Sequence, residues 1–170
     1  MERIINIRPI EYDDLELLHK WRNDREIFSQ LGDGFFPVSK TEMSNWMSNF
    51  CKNDKSNLKF IITYDSKGAG YITLTNVNYI NRSAELGIYI GEKNLQGCGI
   101  ASGAIELLED FATNNLNLRK IKLLVNSDNN AALALYHKLG FRDIGIYEKE
   151  RFINGNWVDV KIMEKFIIGK

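Results

Sequence analysis

The chain predicts an α+β (mixed α/β) domain built on a central mixed, largely antiparallel twisted sheet of about seven strands, flanked by about four helices. Three observations lead there. Residues 58–64, 70–77 and 84–90 are strand-like runs separated only by short polar turns, the pattern of an antiparallel meander. A long amphipathic stretch, 100–114, follows the third strand at once. The chain then closes with a strand, a short helix and a two-strand hairpin, an order that is not the regular alternation of a doubly wound Rossmann sheet.

Taken in order, residues 4–8 read as a first strand. Asp13 or Asp14 caps a helix carrying Leu15, Leu17, Leu18 and Trp21. Ser39-Lys40-Thr41-Glu42 is a capping box that opens a second helix through Met43, Trp46, Met47 and Phe50. The meander turns at Asp65-Ser66-Lys67-Gly68 and at residues 78–82. Helix 100–114 buries Ile100, Ala101, Ala104, Ile105, Leu108, Phe111 and Ala112. Strand 120–125, helix 131–139 and strands 141–151 and 157–165 complete a single domain over residues 1–170. No internal repeat, low-complexity segment or linker divides it.

The most informative junction is Asn94-Leu95-Gln96-Gly97-Cys98-Gly99-Ile100-Ala101, between strand 84–90 and the long helix. A helix start offers unpaired N–H groups and partial positive charge, and glycines let a phosphate approach the backbone, so an anion site is expected here, with pyrophosphate as the ligand. A dinucleotide fingerprint needs its first glycine hard against the strand and an acidic residue about 20 positions on. Here Glu92-Lys93-Asn94 intervene and the corresponding position is near Asn117. A nucleotide P-loop fails because no Gly-Lys-Ser/Thr follows. A ligand-free capping turn remains an alternative on this segment alone.

A second motif lies beyond the next strand: Asn129-Asn130-Ala131-Ala132-Leu133-Ala134-Leu135-Tyr136-His137-Lys138-Leu139-Gly140-Phe141. Asp128 or Asn129 caps its helix and Gly140 stops it. With Gln96-x-x-Gly99-x-Ala101 and Asn129-x-x-Ala132-x-x-x-Tyr136-x-Lys138-x-Gly140-Phe141 in this order, separated by one helix and one strand, the chain resembles the GNAT superfamily of acyl-CoA-dependent N-acetyltransferases. The resemblance runs from Ile7-Arg8-Pro9 to the 154–160 hairpin. It implies acetyl transfer from acetyl-CoA, as co-substrate, to a primary amine, by direct attack in a ternary complex. It implies that the backbone of strand 84–90, at Leu86, Ile88 and Ile90, holds the pantetheine arm. The turn of Gln96, Gly97, Cys98, Gly99, Ile100 and Ala101 would hold the pyrophosphate, and Asn129 would contact the cofactor arm. It places Tyr136 beside the sulfur as the acid that protonates the leaving thiolate, a role suited to a phenol whose ordinary pKa is near 10. A core aromatic is the alternative for Tyr136.

Glu85 is the candidate base, since strand alternation puts Glu85, Gly87 and Tyr89 opposite Leu86, Ile88 and Ile90; a solvated or ion-paired carboxylate is the alternative. His19 and His137 are further titratable groups, and Lys93, Lys138 and Arg142 are candidate partners of the CoA 3′-phosphate. For the acceptor, the aromatic-rich segment between Trp21 and Trp46 is expected to form the wall opposite the cofactor, with Trp21, Arg22, Asn23 and Phe35 as binding residues. Among GNAT branches the chain is similar to ribosomal-protein N-terminal, diamine and nucleotide-linked amino-sugar acetyltransferases. The favoured acceptor is a small metabolite amine, a nucleotide-linked amino sugar ahead of a polyamine. A protein N-terminus, and a non-catalytic acyl-CoA-binding domain, are the alternatives. A polyamine enzyme calls for an acidic patch, for which Asp13, Asp14, Glu16, Asp24, Glu26 and Asp33 are the material.

Composition sets limits. Lys plus Arg and Asp plus Glu stand at 22 each, so no overall field favours nucleic acid or an anionic membrane. Cys51 and Cys98 form no disulfide framework, which suits a reducing cytoplasm. No signal peptide and no apolar run of about 20 residues is seen, and no metal site is expected. A monomer or homodimer is expected.

Overall fold

The computed structural model describes residues 4–32, 34–50 and 54–167; Asp33, Cys51 and the side chain of Phe50 lie outside the description. Seven strands form one sheet: β1 Ile5–Pro9, β2 Leu58–Tyr64, β3 Lys67–Asn78, β4 Ser83–Ile90, β5 Lys120–Asn126, β6 Arg142–Ile153 and β7 Asn156–Phe166. The order across the sheet is β1-β2-β3-β4-β5-β7-β6, and all neighbours are antiparallel except β4 and β5. The mixed, largely antiparallel sheet expected from the sequence is thus present. That one parallel contact follows from the crossover through α4 (Ile100–Asn114), since parallel neighbours cannot be joined by a tight turn.

Local chemistry fixes the joints. Asp65 and Ser66, both at positive φ (47° and 67°), make the two-residue reversal between β2 and β3. The capping box at α3 (Lys40–Phe50) forms as expected, with Glu42 N donating to Ser39 Oγ at 3.1 Å and Ser39 N donating to Glu42 Oε2 at 3.0 Å. The start of α1 (Leu15–Arg22) differs from expectation. Asp14 makes no side-chain cap there; its carboxylate takes a two-point contact from Arg8, both at 2.7 Å, and the N–H of Glu11 at 2.8 Å. A one-turn 3-10 helix, Tyr12–Asp14, is therefore interposed.

Among the described residues the sheet is flanked by five α-helices, in keeping with the expected number of about four. The additional α2 (Arg25–Phe28) is a single turn capped by Asp24, which accepts from Glu26 N at 2.9 Å. At one turn it carries no apolar periodicity to detect. Helix α5 is Asn130–Lys138.

Alternation along the strands sorts side chains onto two cores. Ile62, Ile72, Leu74 and Leu86 pack with Ile105 and Leu108 of α4 and Leu133 of α5. Ile61, one residue away, turns to the other face and joins Leu18, Trp21, Met43 and Met47 under α1 and α3. The cavity described next opens on this second face. Among the described residues no helix is long and apolar enough to cross a membrane.

Candidate active site

The parallel pairing of β4 and β5 is short. It joins Ser83 to Lys120, Ala84 to Ile121 and Glu85 to Lys122, and then stops, although β4 runs on to Ile90 and β5 to Asn126. Past Glu85 the two strands part, because β5 keeps its full register with β7 while β4 keeps its own with β3. Peptide groups of β4 that face away from β3 therefore have no strand partner beyond this fork among the described residues, and such groups need one. At the fork lies a cavity of ≈ 720 Å³, lined from β4 by Glu85, Leu86, Gly87, Ile88 and Tyr89 and from the far side by Leu123, Asn126, Asn129 and Tyr136.

Helix α5 carries Tyr136 into this cavity. Asn129 caps the helix, its Oδ1 accepting from Ala132 N at 3.1 Å, and Tyr136 sits one helical face further on, 8% exposed, its ring edge-on to Phe141 at 5.7 Å. Burial pushes the phenol up to about 12, so it stays protonated throughout the neutral range. Its hydroxyl finds no hydrogen-bond partner among the described residues.

Glu85 lies across the fork. Its side chain is 41% exposed, takes a hydrogen bond from Asn76 Nδ2 at 3.1 Å, and faces Lys122 Nζ at 3.8 Å. The alternation expected for this strand is present: Leu86, Ile88 and Ile90 pack with the first core, while Tyr89 joins the second. Leu86 and Ile88 also line the cavity; Ile90 does not. Its carbonyl instead accepts from Gln96 Nε2 at 3.1 Å, which ties the glycine turn to the strand end.

In that turn Gly97 and Gly99 hold positive φ, 75° and 80°, and a Cβ built on either meets no atom within 4 Å. Gly99 is the left-handed N-cap of α4, and no side-chain cap bond takes up the first N–H groups of the helix. Cys98 is exposed, Ile100 is buried in the first core, and Ala101 is partly buried.

The expected acceptor wall is corrected in three of its four members. Trp21 is 0% exposed and donates from Nε1 to Glu92 Oε1 at 2.9 Å; its indole lies so close over Gly91 that no Cβ would fit there. It is a core residue. Asn23 spends its side chain on Val38, donating to Val38 O at 3.0 Å and accepting from Val38 N at 2.9 Å, so it fixes the chain ahead of α3. Phe35 lines a separate cavity of ≈ 260 Å³ with Arg25 and Phe152. Arg22 alone reaches the main cavity, its guanidinium 4.3 Å from the centroid of Phe28.

None of the other candidates lines the main cavity. His19 Nε2 lies 3.0 Å from Val38 O, and His137 Nε2 lies 2.9 Å from Asp143. Lys93 bridges Asp24 and Glu26, Arg142 pairs with Glu164, and Lys138 is exposed. Asp14 and Glu16 pair with Arg8 and Lys40, and Asp24 and Glu26 with Lys93, so among the described residues these four carboxylates are each held by a cation.

Sequence reasoning missed several cavity residues. Tyr71, Thr73 and Thr75 of β3 alternate onto the cavity face, and that alternation was the available signal. Burial raises the phenols of Tyr71 and Tyr89 above their ordinary value. Lys59 of β2 also lines the cavity, 5.3 Å from the centroid of the Trp46 ring; burial pushes its amine down to about 8 against the pull of Asp54. Arg151 reaches from β6 to Asn126 Oδ1 at 2.6 Å, while Asn126 Nδ2 donates to Gln30 O at 3.0 Å. No local pattern announces that three-element contact.

A sheet forked at its single parallel pair, a glycine turn at the following helix and a tyrosine at the fork define an acyl-CoA-dependent transferase. The Acetyltransferase (GNAT) domain profile matches residues 5–142, and the chain belongs to that family: it is an acetyl-CoA-dependent N-acetyltransferase. Its relatives include the spermidine N(1)-acetyltransferase of Vibrio cholerae, 34% identical over 164 residues (96% of this chain, 93% of that one). The enzyme of that name from Escherichia coli K12 is 32% identical over 157 residues (90% and 81%). A putative ribosomal N-acetyltransferase of Bacillus subtilis is 27% identical over 158 residues (89% and 85%). The crystal structure of the Vibrio cholerae spermidine N-acetyltransferase in complex with CoA and spermine superposes with a TM-score of 0.86 at 32% identity, covering 95% of each chain.

Proposed function

We propose that this enzyme moves the acetyl group of acetyl-CoA onto a primary amine of a polyamine, by direct attack within a ternary complex. The observation that carries the proposal is the forked cavity, which sets a buried, protonated Tyr136 across from the carboxylate of Glu85. The polyamine acceptor follows from the relatives' names; the order of preference expected from the sequence, with an amino sugar first, is reversed on that ground.

The peptide groups of β4 past Glu85 are suited to hold the pantetheine arm as an added strand would be held. The N–H groups at Gly99 and the start of α4 suit the pyrophosphate. Glu85, directly or through a water, takes a proton from the acceptor ammonium. The freed amine attacks the thioester carbon, the carbon–sulfur bond breaks, and Tyr136 supplies a hydrogen bond and then a proton to the departing sulfur. The second proton of the attacking nitrogen passes through water to the Tyr136 phenolate, so the amide, the CoA thiol and the proton held by Glu85 account for every atom.

A second acceptor, an amino sugar linked to a nucleotide, is favoured by one observation. Arg22 lines the cavity stacked on Phe28, a cation and a ring placed together as a phosphate and a base require. A free-thiol assay over spermidine, spermine, nucleotide-linked amino sugars and N-terminal peptides tests both. Turnover of the polyamines is expected, and turnover of protein N-termini alone would refute a small-molecule acceptor.

A further inference from the structure

The catalytic groups occupy only one end of the cavity. From the fork at β4 the floor runs across the sheet on one face, through the register row Gly87, Thr73 and Lys59 of β4, β3 and β2. Lys59 thus stands two strand spacings, roughly 10 Å, from Gly87. Its ammonium lies under α3, 5.3 Å from the centroid of Trp46. An acceptor whose reacting amine sits at the fork and whose body follows this floor ends against Lys59.

The charges around that end are unequal. Arg22, Lys59 and Arg151 line the cavity against two carboxylates, Glu42 and Glu85, while Asp54, outside the lining, attracts Lys59 without lifting its amine back to the ordinary value. Glu42 is committed to Ser39, accepting from its N–H at 3.0 Å and its hydroxyl at 3.3 Å. Glu85 is at the opposite end beside Lys122.

We propose that Lys59 is a specificity residue that reads the far end of the acceptor, discriminating against a distal ammonium and in favour of a distal anion. This rests on the reading of the cavity as the acceptor site of an N-acetyltransferase. Like charges brought together in a partly dry cavity oppose binding, and opposite charges favour it, so one cation at the distal end sets a ratio of affinities. The polyamines the enzyme accepts are then those whose further ammonium groups stop short of Lys59 or turn away from it. An amine with a distal carboxylate or phosphate gains where those lose.

The test compares kcat/KM for two acceptors of equal length, a long-chain diamine and the matching ω-amino carboxylic acid, near pH 7. Wild type, Lys59→Arg, Lys59→Met and Lys59→Glu are measured, with melting temperature as the control for folding. The diamine-to-amino-acid ratio is expected to rise about tenfold in Lys59→Met, further in Lys59→Glu, and to stay at the wild-type value in Lys59→Arg. A ratio unchanged within about twofold in folded Lys59→Glu, with turnover of both acceptors measurable, overturns the role of Lys59 and leaves the acetyl-transfer reading intact. No turnover of any amine by the wild type overturns the acetyl-transfer reading and this inference with it.

Discussion

Replacing Tyr136 with Phe removes one oxygen from a residue whose ring stays packed against Phe141. Because the hydroxyl has no partner among the described residues, the substitution leaves no buried group stranded. Stability is expected to change by less than about 1 kcal/mol, which for a domain of this size moves Tm by at most ~2–4 °C. The kinetic effect is larger. General acid assistance is typically worth about 10²–10⁴-fold, and its efficiency falls as the acid's pKa rises far above that of the group it protonates. A phenol pushed to about 12 facing a thiolate whose conjugate acid is ordinarily near 8.5 is a mismatched donor. Most of its benefit comes from hydrogen bonding to developing negative charge. The loss in kcat is therefore expected near the low end, ~100-fold, equivalent to about 2.7 kcal/mol of transition-state stabilisation. The KM for acetyl-CoA should stay within a few-fold. The measurement is kcat by free-thiol release, with saturating amine and acetyl-CoA, and Tm on the same preparation. Near-wild-type kcat, with the chemical step shown to limit turnover, would refute the acid role; a large drop in Tm with normal kcat would mark Tyr136 as a packing residue instead.

Two further outcomes are expected. Gly99→Ala puts a Cβ on a backbone at φ 80°, where nothing nearby obstructs it, so the fold should survive at a cost of about 1–2 kcal/mol while acetyl-CoA affinity, read by calorimetry, falls; unchanged affinity would move the pyrophosphate elsewhere. Acid unfolding should draw on Asp14: burial raises its carboxyl, but the contacts from Arg8 and the Glu11 N–H outweigh that and hold it below the ordinary value. A depressed folded pKa means the contribution is full above the unfolded pKa and is lost as pH drops through the folded one, so Asp14→Asn should flatten the loss of Tm below about pH 4, and an unchanged profile would count against it.

The sequence by itself determined the order of the strands and longer helices and the two motifs that name the family. Tight turns, capping residues and periodicity are local, and the segment Ile100–Asn114 specifies α4 because its apolar stripe and glycine start are contained in the segment itself. Alternation along β4 likewise put Glu85 and Leu86 on opposite faces before any tertiary contact was known. What such signals cannot carry is who meets whom. Trp21 reads identically as an acceptor wall or a core indole until Gly91 and Glu92, some seventy residues on, close over it. Asn23 is an exposed-looking polar residue until Val38 takes both ends of its amide. Lys59 looks like a strand's solvent-side lysine until α3 covers it, and its lowered pKa exists only because that packing excludes water. The fork itself is a tertiary event, since β4 and β5 separate only because each keeps register with a different neighbour.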